Sequence, residues 1–68
     1  MARNIFKQAE QGEKFLRKHE RLELSADELY QFFKAYDDTE KEAGTYGAIW
    51  NTICLAFKMG VAVGRRNA

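Results

Sequence analysis

The chain of 68 residues has no proline, one cysteine, one histidine and one tryptophan. Serine occurs once, at Ser25. Without proline there is no fixed φ to kink a helix and no stiff extended linker. A single thiol cannot close an internal disulfide, and it is too few for a cysteine-built zinc site. Charge of one sign is also missing: eleven Lys and Arg face ten Asp and Glu, for a formal net charge of +1. A strongly basic total, usual in nucleic-acid binders, is therefore absent. Internal repeats and low-complexity tracts are absent as well.

What is present is 46% apolar and 31% charged residues. That balance belongs to a folded chain with enough apolar surface to offset ordering entropy. One domain, 1–68, is expected. Below roughly 70–80 residues a single core seldom supplies more than about 3–5 kcal/mol unless it is stapled. With no staple here, regular helix packing and oligomerisation are the routes left. Residues Met1 to Glu10 are charged and lack an apolar run with a small-residue cleavage site, so no secretory leader is expected. The lone thiol suits a reducing compartment, and the expected location is cytoplasmic.

The patterning is helical throughout. Ile5, Ala9, Gly12, Leu16 and His19 follow steps of four and three, a one-sided stripe that predicts a helix over about 3–20. Glu10 with Lys14 and Glu13 with Arg17 are i,i+4 pairs in the favoured order. Arg21 to Leu24 reads as a connector. Ser25 followed by Glu28 is a capping box, and Leu24 with Leu29 a hydrophobic staple, so a second helix starts at Ser25. Leu29, Phe32, Phe33 and Tyr36 carry its stripe to about 37. Thr39 with Glu42 is a second capping box, which predicts a third helix over about 39–65, with Arg65 and Arg66 at its cation-favouring end. One helix running through from Ser25 is the competing reading. Gly44 and Gly47 weaken the first turns of the third helix. The fold class is thus all-α: a compact three-helix domain, helices near 3–20, 26–37 and 39–65, with the last as its spine.

Tyr46 to Val63 is the most apolar stretch. It is interrupted by Lys58, where a cation would be expensive inside a bilayer, so a buried core helix is expected rather than a membrane span. Ala48, Thr52, Ala56, Gly60 and Gly64 recur every four residues. Such small side chains let another helix approach closely. This is the candidate packing and self-association site, filled within the chain, between chains, or both. Ile49, Trp50, Ile53, Phe57 and Val61 lie beside it, so apolar character nearly surrounds the helix, as expected of a central element. A homo-oligomer, with a dimer favoured, follows from the small core.

Other constellations point to no reaction. Cys54 sits in the apolar run and reads as a small hydrophobe, with no base placed beside it. His19 alone makes neither a metal site nor a catalytic pair, and no cofactor or metal is expected. Acidic residues from Asp27 to Glu42 mostly serve helix starts, and their spacing lacks the ligand pattern of a calcium loop. Gly44-Thr45-Tyr46-Gly47 lacks the Lys and Ser or Thr of a phosphate loop. Tyr30 and Tyr46 read as half-buried edge residues. Basic residues Lys7, Lys14, Lys18 and Arg21, with Arg65 and Arg66 at the far end, are the candidate anion or nucleic-acid contacts. Interleaved glutamates favour a solvated face instead.

The closing segment Leu55-Ala56-Phe57-Lys58-Met59-Gly60-Val61-Ala62-Val63-Gly64-Arg65-Arg66 resembles the end of small helical accessory proteins of phages, prophages and mobile elements of Firmicutes. The resemblance covers the last fifth of the chain. It implies a short accessory protein that acts by binding rather than by catalysis. Expected first is a small non-enzymatic interaction or regulatory protein that self-associates. Nucleic-acid binding through the basic face of the first helix and the C-terminal arginines is the second expectation. An anti-defence inhibitor that docks on a host effector or a nucleotide signal is the third.

Overall fold

The computed structural model describes residues 3–67. Met1, Ala2 and Ala68, at the two ends of the expected domain, lie outside the described residues. The described chain is all-α, with no strand among the described residues. It has two helices, α1 (Ile5–Lys18) and α2 (Ala26–Arg66), joined through a single 3₁₀ turn at Glu20–Leu22.

Helix α1 begins at Asn4, whose side-chain oxygen accepts from the backbone N–H of Phe6 and of Lys7, each at 3.1 Å. This satisfies two donors that a helix start leaves free. Nothing in the stripe pointed to Asn4; the expected start near residue 3 rested on periodicity. Glu13 and Arg17 form the expected ion pair at 2.8 Å. The helix ends at His19 with φ −136°. There the imidazole stacks on Phe15, ring centroids 4.1 Å apart, and Nδ1 donates to the Phe15 carbonyl at 2.9 Å.

Helix α2 begins as its capping box predicts. Glu28 N–H donates to Ser25 Oγ at 3.2 Å, and Ser25 N–H donates to Glu28 Oε1 at 2.9 Å. The Ser25 backbone N–H, and after it the Ser25 side chain, hold the Glu28 carboxyl below its ordinary pKa.

The expected boundary between a second and a third helix near 37–39 is not there. Helix continues through Asp37, Asp38 and Thr39. The Thr39 hydroxyl does not cap a helix start but donates back to the Ala35 carbonyl at 2.8 Å. A Ser or Thr followed by Glu caps a helix only where the backbone has already left it, and nothing before Thr39 breaks the chain. The break comes at Gly44, with φ 78° and ψ 179°, a conformation essentially reserved for glycine. The three-helix expectation is corrected accordingly: α2 is one long helix bent at Gly44 into a first limb, 26–43, and a second limb, 45–66. Unbent, its 41 residues would span about 61 Å at ~1.5 Å per residue. The longest dimension of the whole chain is 38 Å, so the limbs fold back on each other.

Polar groups hold the elbow. Glu40 Oε2 accepts from Tyr36 OH at 3.2 Å and from Thr45 Oγ1 at 3.1 Å, spanning the break. Further along, Asn51 Nδ2 donates to Thr39 Oγ1 at 3.1 Å, tying the two limbs. A Cβ on Gly47 would lie 2.6 Å from Cβ of Ala43, so only glycine lets the chain turn this closely. Partial desolvation, and then the Glu40 charge, push the Tyr36 phenol above its ordinary pKa.

The chain is more open than the compact domain expected. Its radius of gyration is 13.6 Å, against about 11 Å for a compact domain of this length. Among the described residues only Ala48 is buried. The expectation that Tyr46–Val63 forms a buried core helix therefore fails within the single chain. The first limb and α1 have too little side-chain volume to surround a second limb that is apolar on most sides.

Candidate interaction surface

The second limb carries two apolar faces. One, with Ala48, Thr52, Leu55 and Met59, turns toward the first limb. Phe32, Ala35, Leu55 and Met59 line a common shallow cleft there. The other face lies on the opposite side of the limb, since at about 100° per residue Tyr46, Ile49, Trp50, Ile53, Phe57 and Val61 all fall within a ~120° arc. Every one of these six is exposed, Tyr46 by 89% and Trp50 by 75%. Leu29, Tyr30 and Phe33 make a smaller exposed patch on the first limb, and Ile5 and Phe6 another at the start of α1.

The five small residues of the candidate packing site are not on one face. Residues four apart advance by about 40° around a helix, so the row winds from the interior to the surface. Ala48 is fully buried and Thr52 half-buried, whereas Ala56, Gly60 and Gly64 are exposed. Ala48 and Thr52 meet the first limb. The Thr52 hydroxyl donates to the Ala48 carbonyl at 2.8 Å. Gly60 and Gly64 instead help line an open groove of about 360 Å³ between α1 and the second limb. Phe15, Leu16, Leu22, Met59 and Val63 form its walls.

Lys7, Lys14 and Lys18 are exposed and share one face of α1, within about 40° of one another. Arg21 lies in the 3₁₀ turn, and Arg65 and Arg66 in the last turn of α2. All three are exposed. Asn67 Nδ2 donates to the Val63 carbonyl at 2.9 Å beside those arginines. Gly64 shares its groove with Leu16 and Leu22, so the arginines emerge at the end of the molecule where α1 finishes. The guanidinium of Arg3 lies 5.2 Å over the ring of Phe57, on the edge of the apolar face.

Nothing else in the described chain gathers chemistry. Cys54 is half-buried in the second limb, and the His19 ring is engaged with Phe15. Among the described residues no three His, Cys, Asp or Glu side chains converge where they could hold a metal ion. The segment Glu20–Arg66 contains a stretch long and apolar enough to cross a membrane by length and composition, and almost none of it is buried.

The accessible surface gives the scale of what is uncovered. The chain, of 7.9 kDa, exposes 6245 Å². A folded monomer of that mass exposes about 4,400 Å², so the surplus is about 1,800 Å². The large apolar face was not singled out as a site by the small-residue spacing. Its own signal was present, since Tyr46, Trp50, Ile53 and Phe57 follow steps of four, three and four. Comparison with protein-family models, with curated proteins and with solved structures finds no match.

Proposed function

We propose that this chain is a small non-enzymatic interaction protein that completes its core by self-association. The observation that carries the reading is the surplus surface. Standard interfaces remove about 800 Å² per partner, and obligate homodimers more. A surplus of about 1,800 Å² is in the obligate range. Much of it is apolar side chain at Trp50, Ile53, Phe57, Phe33 and Phe6. An exposed apolar face as large as that of Tyr46, Trp50, Ile53 and Phe57 on a monomer marks a binding face. An accessory role in a phage or mobile element is the context suggested by the closing segment Leu55 to Arg66.

A second reading is supported by the shared face of Lys7, Lys14 and Lys18 with Arg21, Arg65 and Arg66 at one end: nucleic-acid binding by the assembled protein. It requires affinity that falls steeply with salt. Light scattering behind a sizing column, at low and high salt with and without mixed nucleic acid, tests both. The first reading expects a dimer or larger species at both salt concentrations, unchanged by nucleic acid. A monomer whose mass rises with nucleic acid only at low salt would replace it with the second.

A further inference from the structure

Tyr46, Trp50, Ile53, Phe57, Gly60 and Gly64 succeed one another at steps of four, three, four, three and four. That is the seam of a helix that packs lengthwise on another helix. The seam points away from the first limb. Its four large side chains are exposed, and no charged residue of the limb lies on it; the Arg3 guanidinium, 5.2 Å over the Phe57 ring, borders it. Its two glycines have no use inside the chain. Neither has a positive φ, and a Cβ on either would meet nothing within 4 Å. Gly44 and Gly47, by contrast, are each demanded by the elbow. Glycine weakens a helix interior relative to alanine, so open space beside Gly60 and Gly64 calls for an occupant from outside.

We infer that the seam is the face on which a second copy of the chain docks, second limb against second limb, antiparallel, about a two-fold axis level with Leu55. This rests on the self-association proposed above and names its surface. In that register Tyr46 faces the partner's Gly64, Trp50 faces the partner's Gly60, and Ile53 faces the partner's Phe57. Each large ring at one end meets a position without a side chain at the other, and every contact occurs twice, as an isologous interface requires. The groove between α1 and the second limb, floored by Gly60, receives the indole of the partner's Trp50. Parallel pairing would set Trp50 on Trp50 and glycine on glycine, leaving a gap, and would bring both copies of Arg65 and Arg66 together.

The area agrees. Tyr46, Trp50 and Phe57 are 89%, 75% and 53% exposed. At roughly 200 Å² per fully exposed aromatic side chain they present about 430 Å² per copy. The three rings thus supply about half of a standard 800 Å² footprint before Ile49, Ile53 and Val61 are added.

The experiment uses the full chain. Sedimentation and Trp50 emission are followed on dilution for the natural sequence, Gly60→Leu and Ile53→Glu, with helicity checked by circular dichroism. The expected result is a dimer with blue-shifted emission, its dissociation constant raised at least about 30-fold in either variant, the loss typical of an interface hot spot. Register is read separately in a Cys54→Ala background by mixing chains carrying Ile53→Cys with chains carrying Phe57→Cys under oxidation. Antiparallel docking gives the mixed disulfide in preference to either like pair, and this readout stands even if Gly60→Leu or Ile53→Glu fails to fold. A dimer that both folded variants leave intact, or one that yields like-paired disulfides only, overturns this interface and leaves self-association standing. A natural chain that stays monomeric throughout overturns both. Binding of that monomer to phosphatidylcholine vesicles would then mark the seam as a membrane face.

Discussion

Helix α1 and the second limb of α2 differ in how much of their surroundings each one specifies. Helix α1 is amphipathic, with Lys7, Lys14 and Lys18 on one face and Ala9, Gly12 and Leu16 on another. It carries its own cap at Asn4, an internal ion pair, and an end stacked by His19 on Phe15. Its polarity states which side meets water. The second limb is apolar on both sides, and only one side is covered by its own chain. A helix of this kind states that it must be surrounded, without stating by what.

The sharpest way to break the comparison is at the elbow that folds the first limb back on the second. Gly44→Val places a β-branched residue at φ 78°, ψ 179°. It should destabilise the chain by about 1–3 kcal/mol, and it would let the two limbs straighten. A lower thermal midpoint with a larger hydrodynamic radius is the expected pair of results; unchanged values of both would contradict the elbow. Next in size is the tie between the limbs. Asn51→Ala removes the bond to Thr39 and should lower stability by about 1 kcal/mol in denaturant titration.

Caps come next, and they act within one helix. Asn4→Ala should reduce stability by about 1 kcal/mol. It should raise amide exchange at Phe6 and Lys7 and leave the second limb untouched. A fourth test uses pH. The Glu28 carboxyl is held below its ordinary value. Its contribution is therefore complete above the ordinary carboxylate pKa, near 4.5, and is lost as pH falls through the lowered folded value. Glu28→Gln should flatten that part of the acid limb of a stability–pH curve, and an unchanged limb would assign the loss to other carboxylates. Smallest of all is Glu13→Gln. The ion pair it breaks is well exposed, with 62% of Glu13 open to solvent. Unfolding free energy in denaturant titration should change by no more than about a few tenths of a kcal/mol.

Local chemistry was legible where it closes within one turn. Ser25 and Glu28 form the box their spacing predicts, and Glu13 meets Arg17, because residues three or four apart on a helix are neighbours; Glu10 and Lys14, at the same spacing, form no ion pair. The same logic misled at Thr39 and Glu42. Their spacing matches a cap, yet a cap needs a chain that has left the helix, and the chain leaves it only at Gly44. The two glycines near the elbow hinted at this. Asn4 was missed because a stripe of apolar residues marks a helix's face and not its first donor. The tie between Thr39 and Asn51, and the clasp of Tyr36 and Thr45 on Glu40, follow from the fold-back and carry no signal in sequence spacing.

By itself, the sequence determined that this chain is helical, where α2 begins, and that its last third is too apolar for so short a chain to cover. Periodicity, capping and composition act locally or on the average, so they survive without coordinates. Only the tertiary structure decided that the bend falls at Gly44, that Ala48 lies inside while Gly60 and Gly64 lie outside, and that Trp50 faces away from its own chain. Those outcomes depend on how a 40° advance per four residues carries a row of side chains around a helix, and on where a single glycine's φ sets the first limb against it.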